Sequence, residues 1–525
     1  MNMESGILSS LILLPLLGSL LILILPRAYK TFYKWICLIT QILLLINVMT
    51  ILGLFDRENP DYQFIEHSEW FRLSLGSKSI LSIDYILGVD GLSISLVVLS
   101  IIVFLIASVS SFRITYREKT YFSLFLLLTA SVLGCFLAVD FFLFFVFFEF
   151  MLLPMYFLIG IWGGANRAYA SLKFFIYTFA GSVLILVVMI CMVISNQDEF
   201  FTSEYARLVY SFDFRTLKDT TNLIDGSILS IKNPVLIFGL PARDLMFLLL
   251  LVGFGIKMPV VPFHTWLPDA HVEAPTPISV ILAGILLKIG GYGILRVAYE
   301  ILPDASQKYA VLIGALGLVS VIYGALNALN QSDLKKMIAY SSVSHMGFVF
   351  IGIAAFNSIG FNGAVFQMFS HGILSSMLFL LAGVIYERTH DRNIHAFQGL
   401  AKKMPVFTLM VAIAFFGSLG LPSLSGFIGE FLSLHGAFQS EHLPKLIPVL
   451  GIIGIVLSAI YFLLTFQRMF FGEFHTREEY RTLLKDLTKT EMFMLGSLAI
   501  LTILTGVWPN LVLRYINSSL TEILK

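Results

Sequence analysis

Four ionisable residues stand inside apolar segments where a bilayer opposes them: Glu149, Lys257, Lys288 and Glu430. Each costs about 2.5–3.5 kcal/mol at the centre of a spanning helix on insertion scales. Acids and bases at that depth are the parts of an ion or proton path, so the four predict charge movement across a membrane. Glu149 is the plainest case, set in Phe144-Phe145-Val146-Phe147-Phe148-Glu149-Phe150-Met151. Lys257 precedes the helix-breaking Pro259, and Lys288 has apolar neighbours on both sides. His345 and His371 add rings that can relay protons near neutral pH, although a hydrogen-bonded core histidine is the plainer reading of each. Lys335, at the mouth of its helix, reads either as a proton-path residue or as an ordinary surface charge. The structural alternatives are a simple Glu149–Lys257 ion pair, a satisfied pair at Lys288 and a helix cap at Glu430. Asp140 reads as the N-cap of the helix that carries Glu149. His264, Asp269, His271 and Glu273 resemble metal ligands at first sight, but their spacing fits no coherent ligand set.

The elements that must position these groups are membrane helices. The chain has 525 residues, 58% of them hydrophobic and 13% charged. A soluble domain carries about 25% charged residues, so the expectation is an all-α polytopic membrane protein. A net charge of +1 gives no support for nucleic-acid binding. Cys37, Cys135 and Cys191 match no metal, iron–sulfur or redox spacing, and no Gly-rich nucleotide motif is present. The apolar run Ile7 to Leu25 lacks a basic leader and a cleavage site, and is expected to stay as a first helix.

Apolar runs bounded by charges or turn residues number about 14 by the length criterion for a span. They are 7–25, 35–55, 91–111, 121–138, 141–161, 172–194, 244–262, 277–299, 309–329, 335–355, 361–385, 405–435, 447–470 and 491–513. Lys and Arg fall in alternate short connections, with Arg27, Arg113, Arg167, Lys335, Arg388 and Arg477 among them. That pattern places those loops in the cytoplasm and both termini outside, together with the stretch Asn196–Arg243. The span 405–435, as one helix, would be about 46 Å long against a hydrocarbon core of about 30 Å. Gly417, Gly420, Pro422 and Gly426 interrupt it, as Pro259 and Pro262 interrupt the seventh run. A Phe-Gly pair precedes each interruption, at Phe254-Gly255 and Phe416-Gly417. Paired interruptions of this kind point to an inverted-repeat transporter with a repeat of about five helices.

The stretch Lys257-Met258-Pro259-Val260-Val261-Pro262-Phe263-His264-Thr265-Trp266-Leu267-Pro268-Asp269-Ala270-His271 closely resembles the hallmark of the antiporter-like subunits of respiratory complex I. The run Leu282-Ala283-Gly284-Ile285-Leu286-Leu287-Lys288 and the block Asp333 to Gly347 continue the resemblance, which covers nearly the whole chain. Glu430 stands where the largest and smallest of these subunits carry Lys, which narrows the resemblance to one paralogue. It implies fourteen helices with two inverted five-helix repeats, residues 121–299 and 309–470. Helices 1–3 in 1–111 precede them and a final helix, 491–513, follows. Helices 7 and 12 are broken, and a polar axis runs along mid-membrane.

By the same resemblance, Glu149 and Lys257 form the first acid–base pair, Lys288 is the central base and Glu430 the terminal acid. His345 and His371 lie on the axis. The implied activity is proton translocation driven by NADH:quinone oxidoreduction, with no cofactor in this chain. NADH, FMN, iron–sulfur clusters and quinone belong to partner subunits. The other partners are the remaining membrane subunits, including the two other antiporter-like ones, in a bacterial inner membrane. A subunit of a multisubunit cation/proton antiporter or of a membrane-bound hydrogenase is the alternative.

Overall fold

The computed structural model describes residues 6–198, 202–203 and 207–524. Parts of the expected outer stretch, 199–201 and 204–206, lie outside the described residues. Among the described residues, twelve helices are long and apolar enough to cross a membrane. The first four are α1 (Ile7–Ile24), α2 (Lys30–Leu54), α3 (Gly91–Ser110) and α4 (Glu118–Leu137). The fifth span is two segments, α5 (Phe141–Phe150) and α6 (Leu152–Trp162), followed by α7 (Arg167–Ser195). Pro154 explains the join at Met151, since it has no N–H to return to the Phe150 carbonyl. Asp140 caps α5, its carboxylate accepting from the Leu143 N–H at 2.8 Å.

The next region contains the first interruption. Helix α8 (Ala242–Lys257) stops, a turn region follows, and α9 (Trp266–Glu273) leads into α10 (Thr276–Tyr299). The freed backbone groups find partners inside the protein, as they must at membrane depth. Val260 N–H closes onto Gly255 O at 3.0 Å. The Trp266 indole donates to Ile256 O at 2.9 Å, and Val261 N–H donates to Ser320 Oγ at 3.0 Å.

After α11 (Ala310–Leu329), α12 (Leu334–Ala354) and α13 (Ser358–Thr389), the long 405–435 run divides into α14 (Pro405–Ser418) and α15 (Ser425–Gln439). Leu421 N–H reaches Phe416 O at 3.0 Å, the same five-residue closure as in the first break. Gly420 and Ser423 take positive φ there, 83° and 77°. The chain ends with α16 (Leu446–Phe470), α17 (Lys489–Val507) and the short α18 (Asn510–Ile523).

Burial sorts these helices. The apolar windows of α10 and α13 are wholly buried and that of α12 is 94% buried, whereas α2 is only 33% buried. Leu and Ile side chains of α1, α2 and α16 face outward, which is the surface lipid requires. The central helices are therefore the ones that hold the ionisable residues. Helix α10 also contains two widened π turns, Leu282–Leu286 and Ile294–Tyr299, flanking the turn that carries Lys288.

One feature lies outside the helical reading. Strands β1 (Gln63–Ser74) and β2 (Ser79–Val89) pair antiparallel, and β3 (Leu208–Ser211) joins β2 in parallel. The sheet sits against the start of α5, where Phe141 N–H donates to Phe212 O at 2.8 Å. Its strands are at most 12 residues long and mix polar with apolar residues, so a search for long apolar runs passes over them.

Candidate functional site

Helices α10, α12, α13 and α15 bring four of the expected residues into one file. Lys288 Nζ lies 2.7 Å from His371 Nδ1. Nζ also donates to the carbonyl of Ala283, which belongs to the first π turn. His371 and His345 follow, with ring centroids 5.7 Å apart. His345 Nδ1–H donates to Glu430 Oε1 at 2.8 Å. Lys288 is fully buried, and Glu430, His345 and His371 are at most 4% exposed. The file thus runs base, imidazole, imidazole, carboxylate across the two halves of the chain.

Beside it lies a cavity of about 10 Å³, lined by Ser341, His345, Gln367, His371, Ser418 and Glu430 among others. Volumes of this order admit about one water molecule. Glu430 Oε2, His345 Nε2, Gln367 Oε1 and Ser418 Oγ are buried there without a protein partner. A single water in that space has the polar neighbours needed to link the histidines to the carboxylate. Gly429 in α15 makes the approach possible, since a Cβ there would sit 2.3 Å from Gln367 Oε1.

Glu149 and Lys257 are placed differently from the expected ion pair. Lys257 Nζ lies over the Phe148 ring at 4.8 Å and over Phe174 at 5.9 Å. Lys257 Nζ and Glu149 Oε1 are both buried and have no hydrogen-bond partner. The aromatic faces, whose quadrupole attracts a cation, hold the lysine where a contact carboxylate was expected. Glu149 is only partly buried and the next residue, Phe150, is exposed, so this acid sits near the flank of the bundle.

Lys335 is 2% exposed, donates to Ala274 O at 3.0 Å and lies over the Tyr386 ring. It stands at the junction of α9 and α10, away from the Lys288 file. Between them is His271, fully buried and stacked on Phe379 at 4.4 Å, with neither ring nitrogen bonded to protein. It lies within electrostatic reach of both Lys335 and Lys288. Sequence reasoning considered His271 only as a metal ligand. Arg296, buried two helical turns beyond Lys288, pairs with Asp90 and Glu300, a cluster that the sequence reading did not single out.

Comparison with known proteins gives concordant matches. Residues 138–458 match the family described as NADH:quinone oxidoreductase/Mrp antiporter, transmembrane. The chain is 41% identical over 528 aligned residues to NADH-quinone oxidoreductase subunit M of Rickettsia prowazekii (strain Madrid E), covering 99% of each. It is 39% identical to NADH-quinone oxidoreductase subunit M of Rhodobacter capsulatus, covering 99% of this chain and 96% of that one. A chain of respiratory complex I from Thermus thermophilus superposes with a TM-score of 0.77 at 27% identity, covering 99% of this chain and 100% of that one. A chain of the Mrp complex from Dietzia sp. DQ12-45-1b shares the fold, with a TM-score of 0.80 at 18% identity over 100% of this chain and 98% of that one.

Proposed function

Since the chain belongs to the NADH:quinone oxidoreductase/Mrp antiporter transmembrane family, we propose that it is the proton-translocating membrane subunit of a bacterial NADH:quinone oxidoreductase. The observation that carries this reading is the buried Lys288–His371–His345–Glu430 file, which joins groups able to take and give protons. Redox chemistry belongs to partner subunits holding NADH, FMN, iron–sulfur clusters and quinone. The chain lies in the inner membrane beside the other membrane subunits, with both termini outside. Residues 121–299 and 309–470 are two inverted repeats, each containing one of the breaks.

The cycle begins when quinone reduction in a neighbouring module alters the local field at the flank that carries Glu149. Lys257 sits on its aromatic rests with no carboxylate in contact, so the Glu149–Lys257 separation is free to shorten or lengthen. Movement of that charge changes how strongly Lys288 holds its proton, because buried charges act on one another over several ångströms. A proton entering from the Lys335 side by way of His271 loads Lys288. His371 and His345 then pass charge toward Glu430.

The test is NADH-driven proton uptake in inverted membrane vesicles, comparing the parent with Lys288→Met and Glu149→Gln. A native gel follows assembly. Uptake in the assembled variants is expected to fall by on the order of 10²-fold, the scale of losing a positioned proton carrier. Full uptake in an assembled Lys288→Met complex would overturn the assignment. Absence of the chain from any NADH-oxidising complex favours the second reading, a multisubunit cation/proton antiporter, whose fold the Mrp likeness shares.

A further inference from the structure

Helix α9, the second half of the first broken span, ends in carbonyls that distant parts of the fold hold in place. The last carbonyls of a helix have no partner within it and must find donors elsewhere. Ala270 O accepts from Ala274 N–H at 2.9 Å, and Glu273 O accepts from Gly164 N–H, beyond α6, at 2.9 Å. Ser279 Oγ, on α10, donates to His271 O at 3.1 Å and lies 3.2 Å from Ala274 O. Arg392 Nη1, in the connection after α13, donates to Val272 O at 2.6 Å. Lys335 Nζ, at the start of α12, donates to Ala274 O at 3.0 Å. Cations in this place bond the free carbonyls of a helix and meet the negative end of its dipole.

The two cations are themselves fixed. Both lie over the ring of Tyr386, Lys335 Nζ at 5.7 Å and Arg392 Cζ at 5.2 Å. Arg392 Nε pairs with Asp333 Oδ2 at 3.1 Å, and the same Asp333 caps α12 by accepting from Lys336 N–H at 3.1 Å. Leu334 N–H donates to Arg392 O at 2.9 Å, which ties that connection to the helix carrying Lys335. His271 belongs to the held segment. Neither of its ring nitrogens has a protein partner, and its ring rests on Phe379. With no hydrogen bond on the ring, its place is set by that stacking and by the backbone from 271 to 274. The contacts of Lys335 also differ in kind from those of Lys288. A backbone carbonyl and a ring face cannot take a proton from an ammonium, whereas an imidazole nitrogen such as His371 Nδ1 can.

We infer that Lys335, together with Arg392, is a positioning residue that seats His271 on the route to Lys288, and that Lys335 does not itself carry the proton. The inference rests on the proton-translocating reading above and assigns Lys335 its part in it. The role needs an N–H donor for Ala274 O and no change of charge on the side chain. Without that donor, Ala274 O keeps Ser279, on the helix that α9 runs into, and loses its hydrogen bond to α12. A displacement of about 1 Å at His271 is enough to cost proton transfer heavily, since donor and acceptor must be in near contact.

The experiment uses the whole complex in inverted membrane vesicles, with NADH-driven proton uptake followed by a pH-sensitive dye and assembly by native gel. Lys335→Gln and Lys335→Arg keep an N–H donor for Ala274 O and cannot give up a proton at working pH. Lys335→Met removes the donor, and Lys288→Met runs beside the three. Uptake is expected to fall on the order of tenfold in assembled Lys335→Met, the scale of a misplaced proton partner, and to return to within about threefold of the parent in Lys335→Gln or Lys335→Arg. Amide hydrogen exchange in the peptide covering α9 is expected to quicken in Lys335→Met and to match the parent in the rescuing variant. Equal loss in all three Lys335 variants makes Lys335 a proton carrier and overturns the positioning role. Parent-like uptake in Lys335→Met overturns it as well. With uptake lost in Lys288→Met, either result leaves the proton-translocating reading standing, whereas full uptake in Lys288→Met overturns that reading itself. If Lys335→Met does not assemble, the other two decide. Uptake retained in either supports the positioning role, and loss in both overturns it.

Discussion

At the scale of residues, the central file is two hydrogen-bonded pairs, Lys288–His371 and His345–Glu430, whose histidine rings face each other at 5.7 Å. Lys288 has a histidine partner and no carboxylate, so it is not locked as half of an ion pair. Glu430 has one oxygen on His345 and the other without a protein partner, next to a water-sized space. Glu430→Gln keeps an acceptor for His345 and the shape of the side chain, but cannot bear the charge. It is expected to assemble and to lose NADH-driven proton uptake by on the order of 10²-fold, read in inverted vesicles beside a native gel. Glu149, Lys257, Lys288 and Glu430 were legible because a bilayer penalises charge so heavily that its presence is itself a signal. Their contacts were not. The aromatic seat of Lys257 depends on where Phe174, more than eighty positions away in the chain, comes to lie. His271 was illegible for a related reason, since a histidine among prolines looks like a loop residue until the fold buries it.

At the scale of elements, the two interruptions matter through what they allow to come close. A Cβ on Gly426 would meet the Gly417 carbonyl oxygen at 2.0 Å, so the start of α15 rests directly on the end of α14. Gly426→Ala must push these segments apart, an overpacking cost of about 1–3 kcal/mol. Because Glu430 lies one turn further along α15, the displacement also moves it away from His345. The expected outcome is an assembled complex of lowered thermal stability with proton uptake reduced several-fold, measured by a melting series on native gels and by the vesicle assay. Proline and glycine placed both interruptions correctly in the sequence, because their backbone limits are local. The π turns of α10 carry no such mark. The sheet of β1, β2 and β3 was equally silent, being joined by a strand more than a hundred residues away.

At the scale of the whole molecule, charges away from the file hold the helix ends in register. Glu491, 2% exposed at the start of α17, accepts from Arg113 at 2.9 Å and from Arg388 at 2.8 Å. Arg113 also pairs with Glu387, so the ends of α3, α13 and α17 share one network. Glu491→Ala strands Arg388 in a largely buried place. The loss is expected at the low end of the ~3–5 kcal/mol typical of breaking a buried pair, because Arg113 is half exposed and keeps Glu387. Thermal dissociation of the assembled complex, followed by light scattering, checks this, and a melting point unchanged from the parent would sink it. Proton uptake measured well below that temperature is expected to stay near the parent value. Class and approximate spans were readable from composition. The network was not, since its partners come from three distant parts of the chain.

The wholly buried windows of α10 and α13 have one further implication. Acyl chains touch the outer helices and never reach the two that carry Lys288 and His371. Those outer helices act as a sleeve, able to tilt as a bilayer thickens or thins while the inner pair keeps its alignment. Turnover should therefore be nearly indifferent to lipid chain length until the sleeve itself gives way, and then fail abruptly.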